Sequence, residues 1–240
     1  NPQTAQEIQK SRENKNYLPG CRIPLHVKIT SSLETAVKGA GCVILCTPSH
    51  AVEAMAESLV PWLEKDTVVV CASKGLADHA GHRLSEVITD KVKGITKKIV
   101  VLSGPNHAEE VGRGLPCATV AASEVPEAVQ VVQDLFMSPV FRVYRSDDIK
   151  GVEYGGALKN IMALACGVLD GIGLGDNSRA ALMTRGLVEM TRFGVHFGAQ
   201  MTTFFGLSGM GELVCTCTSV HSRNHTAGMM MAEGKTAKEI

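Results

Sequence analysis

Two lysines stand in settings where an ammonium group can do chemistry. Lys159 lies in the run GGALKNIMALACG, amid residues that are almost all small or apolar. A lysine there either reaches water along its own methylenes or sits in a site that lowers its pKa, where it can release a proton. Lys74 comes just after the run TVVVC (67–71), in Ala72-Ser73-Lys74-Gly75. Open α/β sheets gather ligands beyond the carboxyl ends of their strands, so Lys74 brings a cation to that edge. The plainer reading is a solvated loop lysine. A second run, IVVLS (99–103), leads into Gly104-Pro105-Asn106-His107-Ala108, which joins close backbone approach to a helix start. Gly-Pro is also ordinary turn punctuation. Further on, Ser222-Arg223-Asn224 opens a helical stretch. Free backbone N–H groups, a guanidinium fork and an amide make a competent phosphate pocket, though a simple helix cap accounts for the same residues.

The elements that must position these groups fall into two halves. From Cys42 to Tyr144, short apolar runs alternate with amphipathic segments: CVILC (42–46), TVVVC, IVVLS, CATVA (117–121) and FRVY (141–144). Runs that are apolar throughout belong to strands buried on both faces. Between the first two, Val52, Met55, Ala56 and Leu59 form one helical stripe that Pro61 ends. Such units predict a mainly parallel sheet with helices on both sides. After Asp147 the strand signals stop, and residues 148–170, 178–199 and about 223–233 read as helices. The fold class is therefore α/β followed by an all-helical part. The expected domains are 1–147 and 148–240.

Composition narrows the function. The 240 residues carry 24 Lys plus Arg and 24 Asp plus Glu, a net charge of zero, with 45% hydrophobic residues. A protein that neutralises a nucleic-acid backbone needs a basic excess, so nucleic acid is not an expected partner. Any anion must be met by a local cluster. Cys42, Cys46, Cys71 and Cys117 sit inside apolar runs, as small buried hydrophobes do. Cys215 and Cys217 are too close for a CxxC motif, so reduced thiols and a cytoplasmic location are expected. The longest uncharged stretch, Phe193 to Gly211, holds five glycines and several polar residues, so no membrane span is expected.

Eight segments, in order along the whole chain, carry a family resemblance. They are N-x-x-Y-L-P-G (14–20), C-T-P-S-H (46–50), S-K-G-L (73–76), G-P-N-H-A-E-E (104–110), G-G-A-L-K-N (155–160), T-R-G-L-V-E-M (184–190), G-x-G-E-L (209–213) and S-R-N (222–224). Together they resemble NAD(P)-dependent glycerol-3-phosphate dehydrogenase of the soluble bacterial type. The resemblance implies a Rossmann-type domain followed by a helical domain, with the active site between them. It implies NAD or NADP as cofactor, dihydroxyacetone phosphate and sn-glycerol 3-phosphate as the interconverted pair, and a supply of the latter for glycerophospholipid synthesis. A homodimer is the partner it leaves open.

Residue by residue, the resemblance makes Lys159 the proton donor and acceptor, with Lys74 close to both substrate and cofactor. Gly104 and Asn106 fall in the substrate loop and Ala108 at a cofactor contact. Glu212 joins the substrate site, and Ser222, Arg223 and Asn224 form the phosphate trio, with Arg223 also near the dinucleotide. Glu212 stands where the family usually has aspartate, and Asn106 where serine or threonine is common. No G-x-G-x-x-G run occurs in residues 1–240, and the chain starts at Asn1 without methionine. The expectation is a central portion of an enzyme, inactive by itself for want of the pyrophosphate cradle.

Two other readings stay open. One is a non-catalytic chain that keeps the fold for binding. The other is a related two-domain hydroxy-acid or sugar-acid dehydrogenase. His221 and His225, spaced i, i+4, share a helix face as zinc ligands do, but no third ligand accompanies them, and no metal is expected.

Overall fold

Valine-rich runs make strands because β-branched side chains pack well on a pleated surface. The computed structural model of the protein describes residues 1–78 and 81–240. It opens with α1 (Pro2–Ser11), a small antiparallel pair β1 (Glu13–Asn14) and β2 (Leu18–Arg22), and α2 (Leu33–Val37). The main sheet has five strands in sequence order: β3 (Cys42–Leu45), β4 (Val68–Cys71), β5 (Ile99–Ser103), β6 (Cys117–Ala122) and β7 (Phe141–Ser146). Between them lie α3 (Val52–Leu59), α4 (Leu84–Lys91), the one-turn α5 (Ala108–Gly112) and α6 (Pro126–Phe136).

Alternate residues of β4 explain why its run is apolar throughout. Val69 and Cys71 face one side, packed with Val52, Leu59 and Ile88 of α3 and α4. Val68 and Val70 face the other, against Ala128, Val129 and Val132 of α6. Both faces are therefore covered, as in a two-sided α/β sheet.

The pairings β3–β4, β4–β5 and β6–β7 are parallel, but β5–β6 is antiparallel. The sheet is thus mainly parallel, as expected, with one antiparallel joint. The connection into it, residues 104–116, holds only the one-turn α5, against the longer helices that link the parallel neighbours. A parallel return needs a crossover long enough to recross the sheet. Cys46 departs from expectation: it is exposed, whereas Cys71 is buried and Cys42 and Cys117 are intermediate. It sits just beyond β3, where the sheet no longer covers it. All eight cysteines are free.

The helical part comprises α7 (Ile149–Gly171), α8 (Gly175–His196), α9 (Met201–Phe204), a π-helical turn (Leu207–Gly211), α10 (Glu212–Thr218) and α11 (Arg223–Ala232). Its core gathers Tyr154, Ala163, Leu187, Met190, Phe204 and Leu213. Asp148 caps α7 by accepting from Gly151 N at 2.9 Å, and its second oxygen accepts from Gln200 N at 2.9 Å, tying the start of α7 to α9. A buried polar latch fastens the two parts together. Glu153 of α7 accepts from Ser85 N (2.8 Å), the Ser85 hydroxyl and Arg83 Nη1 (2.7 Å) at the start of α4. Among the described residues, no helix is long and apolar enough to cross a membrane.

Candidate active site

The carboxyl end of β5 runs into a crowded corner where only glycine fits. A Cβ on Gly104 would lie 2.7 Å from Thr119 Cα, and one on Gly156 would lie 2.8 Å from Ser103 Oγ. These two small residues let α7 close on the sheet edge, so groups from both parts of the chain meet there. At the meeting point stands Glu212, the first residue of α10, 1% exposed. Its Oε1 accepts from Gly104 N at 2.8 Å and Ser103 Oγ at 3.2 Å, and forms an ion pair with Lys74. Its Oε2 forms an ion pair with Lys159.

Lys74, in the loop after β4, donates further to Gly104 O and Asn106 Oδ1, both at 3.1 Å. Asn106 donates its Nδ2 to Thr119 Oγ1 at 3.2 Å, which fixes the amide orientation. Lys159 is 6% exposed and does not reach out to solvent. Burial alone would raise the Glu212 carboxyl, but the ammonium groups of Lys74 and Lys159 outweigh it and hold the group below its ordinary range. Burial pushes the Lys74 ammonium down, against the pull of Glu212 and with help from Lys159. Two ammonium groups share one carboxylate, so the cluster keeps a surplus positive charge. That surplus can meet an anion or a developing oxyanion.

The helix start at Ser222 lies beside this cluster. Asn224 Nδ2 donates to Asn160 Oδ1 at 2.9 Å, and Asn160 is the next residue after Lys159. Ser222 is buried and caps α11, its hydroxyl accepting from His225 N at 3.2 Å. Arg223 is exposed and makes no hydrogen bond or ion pair among the described residues. Capping and anion binding are thus compatible here: the serine serves the cap while the guanidinium stays open. Ala108, exposed at the start of α5, lines a cavity of about 590 Å³ with Ile44, Cys46, Ala72, Leu102 and Asn106. Its lining is mostly apolar, with Asn106 and Ser138 among the polar members. A larger cavity, about 700 Å³, is lined by Arg83, Lys93, Lys97 and Ile99 near the opposite end of β5 and touches none of these residues.

Five of the residues singled out in the sequence, Lys74, Gly104, Asn106, Lys159 and Glu212, therefore form one cluster, with Asn224 at its side. Ser103, Thr119, Asn160, His107 and His221 join them and were not foreseen in this role. The first four each lie in or next to a strand run or motif already noted, but nothing in their types announced a contact. His221 and His225 do not act together. His225 Nε2 meets Asp170 Oδ2 at 2.7 Å, and Asp170 also binds Arg179 at 3.0 Å. The His221 ring instead faces that of His107. Among the described residues, no group of three or more His, Cys, Asp or Glu side chains is placed to hold a metal ion.

A two-sided α/β sheet with its ligand edge capped by a helical part, and a lysine pair at their junction, is an arrangement able to hold and reduce or oxidise a small anionic ligand. Residues 1–129 match the family model for the NAD-dependent glycerol-3-phosphate dehydrogenase N-terminus, and residues 148–240 match that for the C-terminus of the same family. The chain belongs to the NAD-dependent glycerol-3-phosphate dehydrogenase family. It is 52% identical over 239 residues to glycerol-3-phosphate dehydrogenase (NAD(P)+) of Moorella thermoacetica, covering 100% of this chain and 70% of that relative. A Clostridium perfringens relative of the same name is 48% identical over 233 residues, covering 97% of this chain and 70% of its own. The crystal structure of glycerol-3-phosphate dehydrogenase from Coxiella burnetii superposes with a TM-score of 0.94 at 36% identity, covering 99% of this chain and 72% of that one.

Proposed function

We propose that the protein interconverts dihydroxyacetone phosphate and sn-glycerol 3-phosphate. The observation that carries this reading is the Lys74–Glu212–Lys159 cluster set beside the Asn224–Asn160 contact, a surplus positive charge adjoining an open helix start. NAD or NADP, when bound, supplies or receives the hydride at C2 of the substrate. Lys159 donates the proton to the C2 oxygen as charge develops there, and its ammonium stabilises that charge. Lys74 adds to the positive field and orients Asn106, and Gly104 lets the substrate approach the backbone. Glu212 holds both lysines in place and lies at the substrate. Ser222, Arg223 and Asn224 take the phosphate at the start of α11, with Arg223 also reaching the dinucleotide, and Ala108 borders the cofactor.

In this reading residues 1–147 form the dinucleotide half and 148–240 the catalytic half. The product sn-glycerol 3-phosphate provides the backbone for glycerophospholipid synthesis. Eight free thiols support a reducing, cytoplasmic setting. Zero net charge gives no support for nucleic acid as a partner. Exposed apolar side chains on the helical part, such as Ile161, Phe197 and Phe205, leave room for a homodimer.

The test uses the full-length enzyme and follows oxidation of reduced nicotinamide. Arg223→Ala is expected to lower kcat/KM for dihydroxyacetone phosphate roughly 10–100-fold more than for unphosphorylated dihydroxyacetone, the worth of a charge-assisted bond. Equal losses on both would remove Arg223 from phosphate recognition. Preferred turnover of an unphosphorylated 2-oxo acid would overturn the substrate assignment.

A further inference from the structure

Contacts around the cleft close into a ring. Lys74 bonds Asn106, and His107 follows Asn106 in the chain. The His107 and His221 rings lie 6.1 Å apart, centroid to centroid, tilted by 49°. His221 directly precedes Ser222-Arg223-Asn224, Asn224 bonds Asn160, and Lys159 next to it returns through Glu212 to Lys74. The imidazole pair is one link between the sheet part and the helical part, with His221 two residues before Arg223 in the chain. His107 is half-buried, and its ring makes no hydrogen bond among the described residues. Both ring nitrogens are thus available to a ligand.

We propose that His107 is a substrate-binding residue for the phosphate end, bonding the phosphate oxygens and taking up a proton from solvent when that dianion arrives. The inference rests on the glycerol-3-phosphate dehydrogenase reading of the site. The charged groups facing the ring are Lys159 from α7, Lys74 from the loop after β4, Glu109 from its own helix and Glu212 from α10, with His221 alongside. Burial and then the two lysines depress the imidazole below its usual 6.5, against the weaker pull of the two carboxylates. The ring is therefore neutral in the free protein at neutral pH. A phosphate dianion on the His221 side reverses that balance, because an adjacent negative charge favours imidazolium. An unphosphorylated substrate brings no such charge and leaves the ring neutral. The residue thereby adds to the discrimination between phosphorylated and unphosphorylated ketones.

The full-length enzyme saturated with NAD+ forms no product with dihydroxyacetone phosphate, so that pair can be titrated by calorimetry. Two buffers of different ionisation enthalpy are used at about pH 7.5, where the substrate phosphate is already a dianion. Wild type is expected to take up a fraction of a proton per substrate bound. His107→Phe and His107→Gln should abolish most of that uptake. Steady-state discrimination between dihydroxyacetone phosphate and dihydroxyacetone should fall about tenfold in His107→Phe, mainly through KM. His107→Gln keeps one donor, so it should restore part of the affinity without the proton uptake. Wild-type uptake retained in both variants, or equal losses on the two ketones, overturns the proposal. A wild-type enzyme that ignores dihydroxyacetone phosphate would instead refute the dehydrogenase reading, and that is measured first.

Discussion

Glu212 and Glu153 are the same residue type, both almost wholly buried and both hydrogen-bonded, yet their carboxyls shift in opposite directions. Glu212 meets two ammonium groups and a backbone N–H, and the attraction outweighs desolvation. Glu153 meets one guanidinium, which Glu86 also holds at 2.7 Å, together with the Ser85 donors. Burial therefore wins at Glu153 and raises its carboxyl despite those bonds. The charge count tells the two places apart. Around Glu212 there are two cations to one anion, a site waiting for negative charge. Around Arg83 there are two anions to one cation, a closed latch between α4 and α7 with nothing left to offer an anionic ligand. A buried ion cluster by itself thus says little about function; the sign of its surplus says more.

The strongest break in this comparison comes from removing a cation of the first cluster. Lys159→Ala in the full-length enzyme is expected to cut kcat by about 10²–10⁴-fold, the usual worth of general acid catalysis. Lys159→Arg keeps the charge beside Glu212 but cannot release a proton near neutral pH, so it should not rescue turnover. Rapid single-turnover kinetics give the chemical step directly. An arginine variant within a few-fold of wild type would assign Lys159 to electrostatics alone and make Lys74 the next proton donor to test.

A smaller effect sharpens the contrast without touching the chemistry. Glutamine is shaped like a protonated glutamate, so Glu153→Gln and Glu212→Gln report what each charge does for folding. The Glu212 carboxyl titrates lower in the folded chain than its unfolded value of 4.5, so its stabilisation is present above that value and lost as pH falls through the folded one. The Glu153 carboxyl titrates higher when folded, so its ionisation costs stability once pH rises past 4.5, fully so above the folded value. Relative to wild type, Glu153→Gln should gain stability as pH rises past 4.5, and Glu212→Gln should lose stability from below 4.5 upward, fully so above 4.5. Each change is expected to be on the order of 1 kcal/mol, read from urea midpoints on both sides of that value. Slopes of the same sign in both variants would contradict the opposed shifts.

Much of this arrangement was legible in the sequence, for identifiable reasons. Strands buried on both faces need apolar residues at every position, so β4 and β5 stood out as TVVVC and IVVLS, whereas CVILC became the edge strand β3, which leaves Ile44 exposed. Lys74 and Gly104 followed from their place at strand exits, and the helices from their 3.6-residue periodicity. The antiparallel turn into β6 was not legible, because CATVA has no feature that records direction; only the shortness of α5 could have suggested it. The first forty residues carried no clear period, and α1 with the β1–β2 pair emerged only in three dimensions. Glu212 entered through a family motif, while its role as the shared partner of two lysines depends on α10 meeting β5, a contact far apart in the chain. His107 and His221 are 114 positions apart by their numbers, 221 − 107, and no spacing rule links them.

The mildest test concerns the length of the shared carboxylate. Glu212 divides its two oxygens, Oε1 to Lys74, Gly104 N and Ser103, and Oε2 to Lys159. Aspartate, which the family resemblance makes the usual residue at this position, would draw the carboxylate back by one methylene, roughly 1.5 Å. The backbone bond from Gly104 belongs to a rigid strand exit, where Thr119 leaves no slack, and Lys159 is fixed on α7. Lys74 carries its ammonium on a flexible side chain from the loop after β4, outside any helix or strand, and is the partner best able to follow. Glu212→Asp should therefore weaken the placement of Lys74 and Asn106 more than that of Lys159. The expected outcome is a few-fold rise in KM for dihydroxyacetone phosphate with kcat changed by less, since the proton donor keeps its place while the substrate loop shifts. Steady-state kinetics over a range of substrate concentrations decide the matter. A drop confined to kcat, with KM unchanged, would mean that Lys159 is the lysine that depends on the longer side chain, and the division of labour between the two oxygens would have to be reversed.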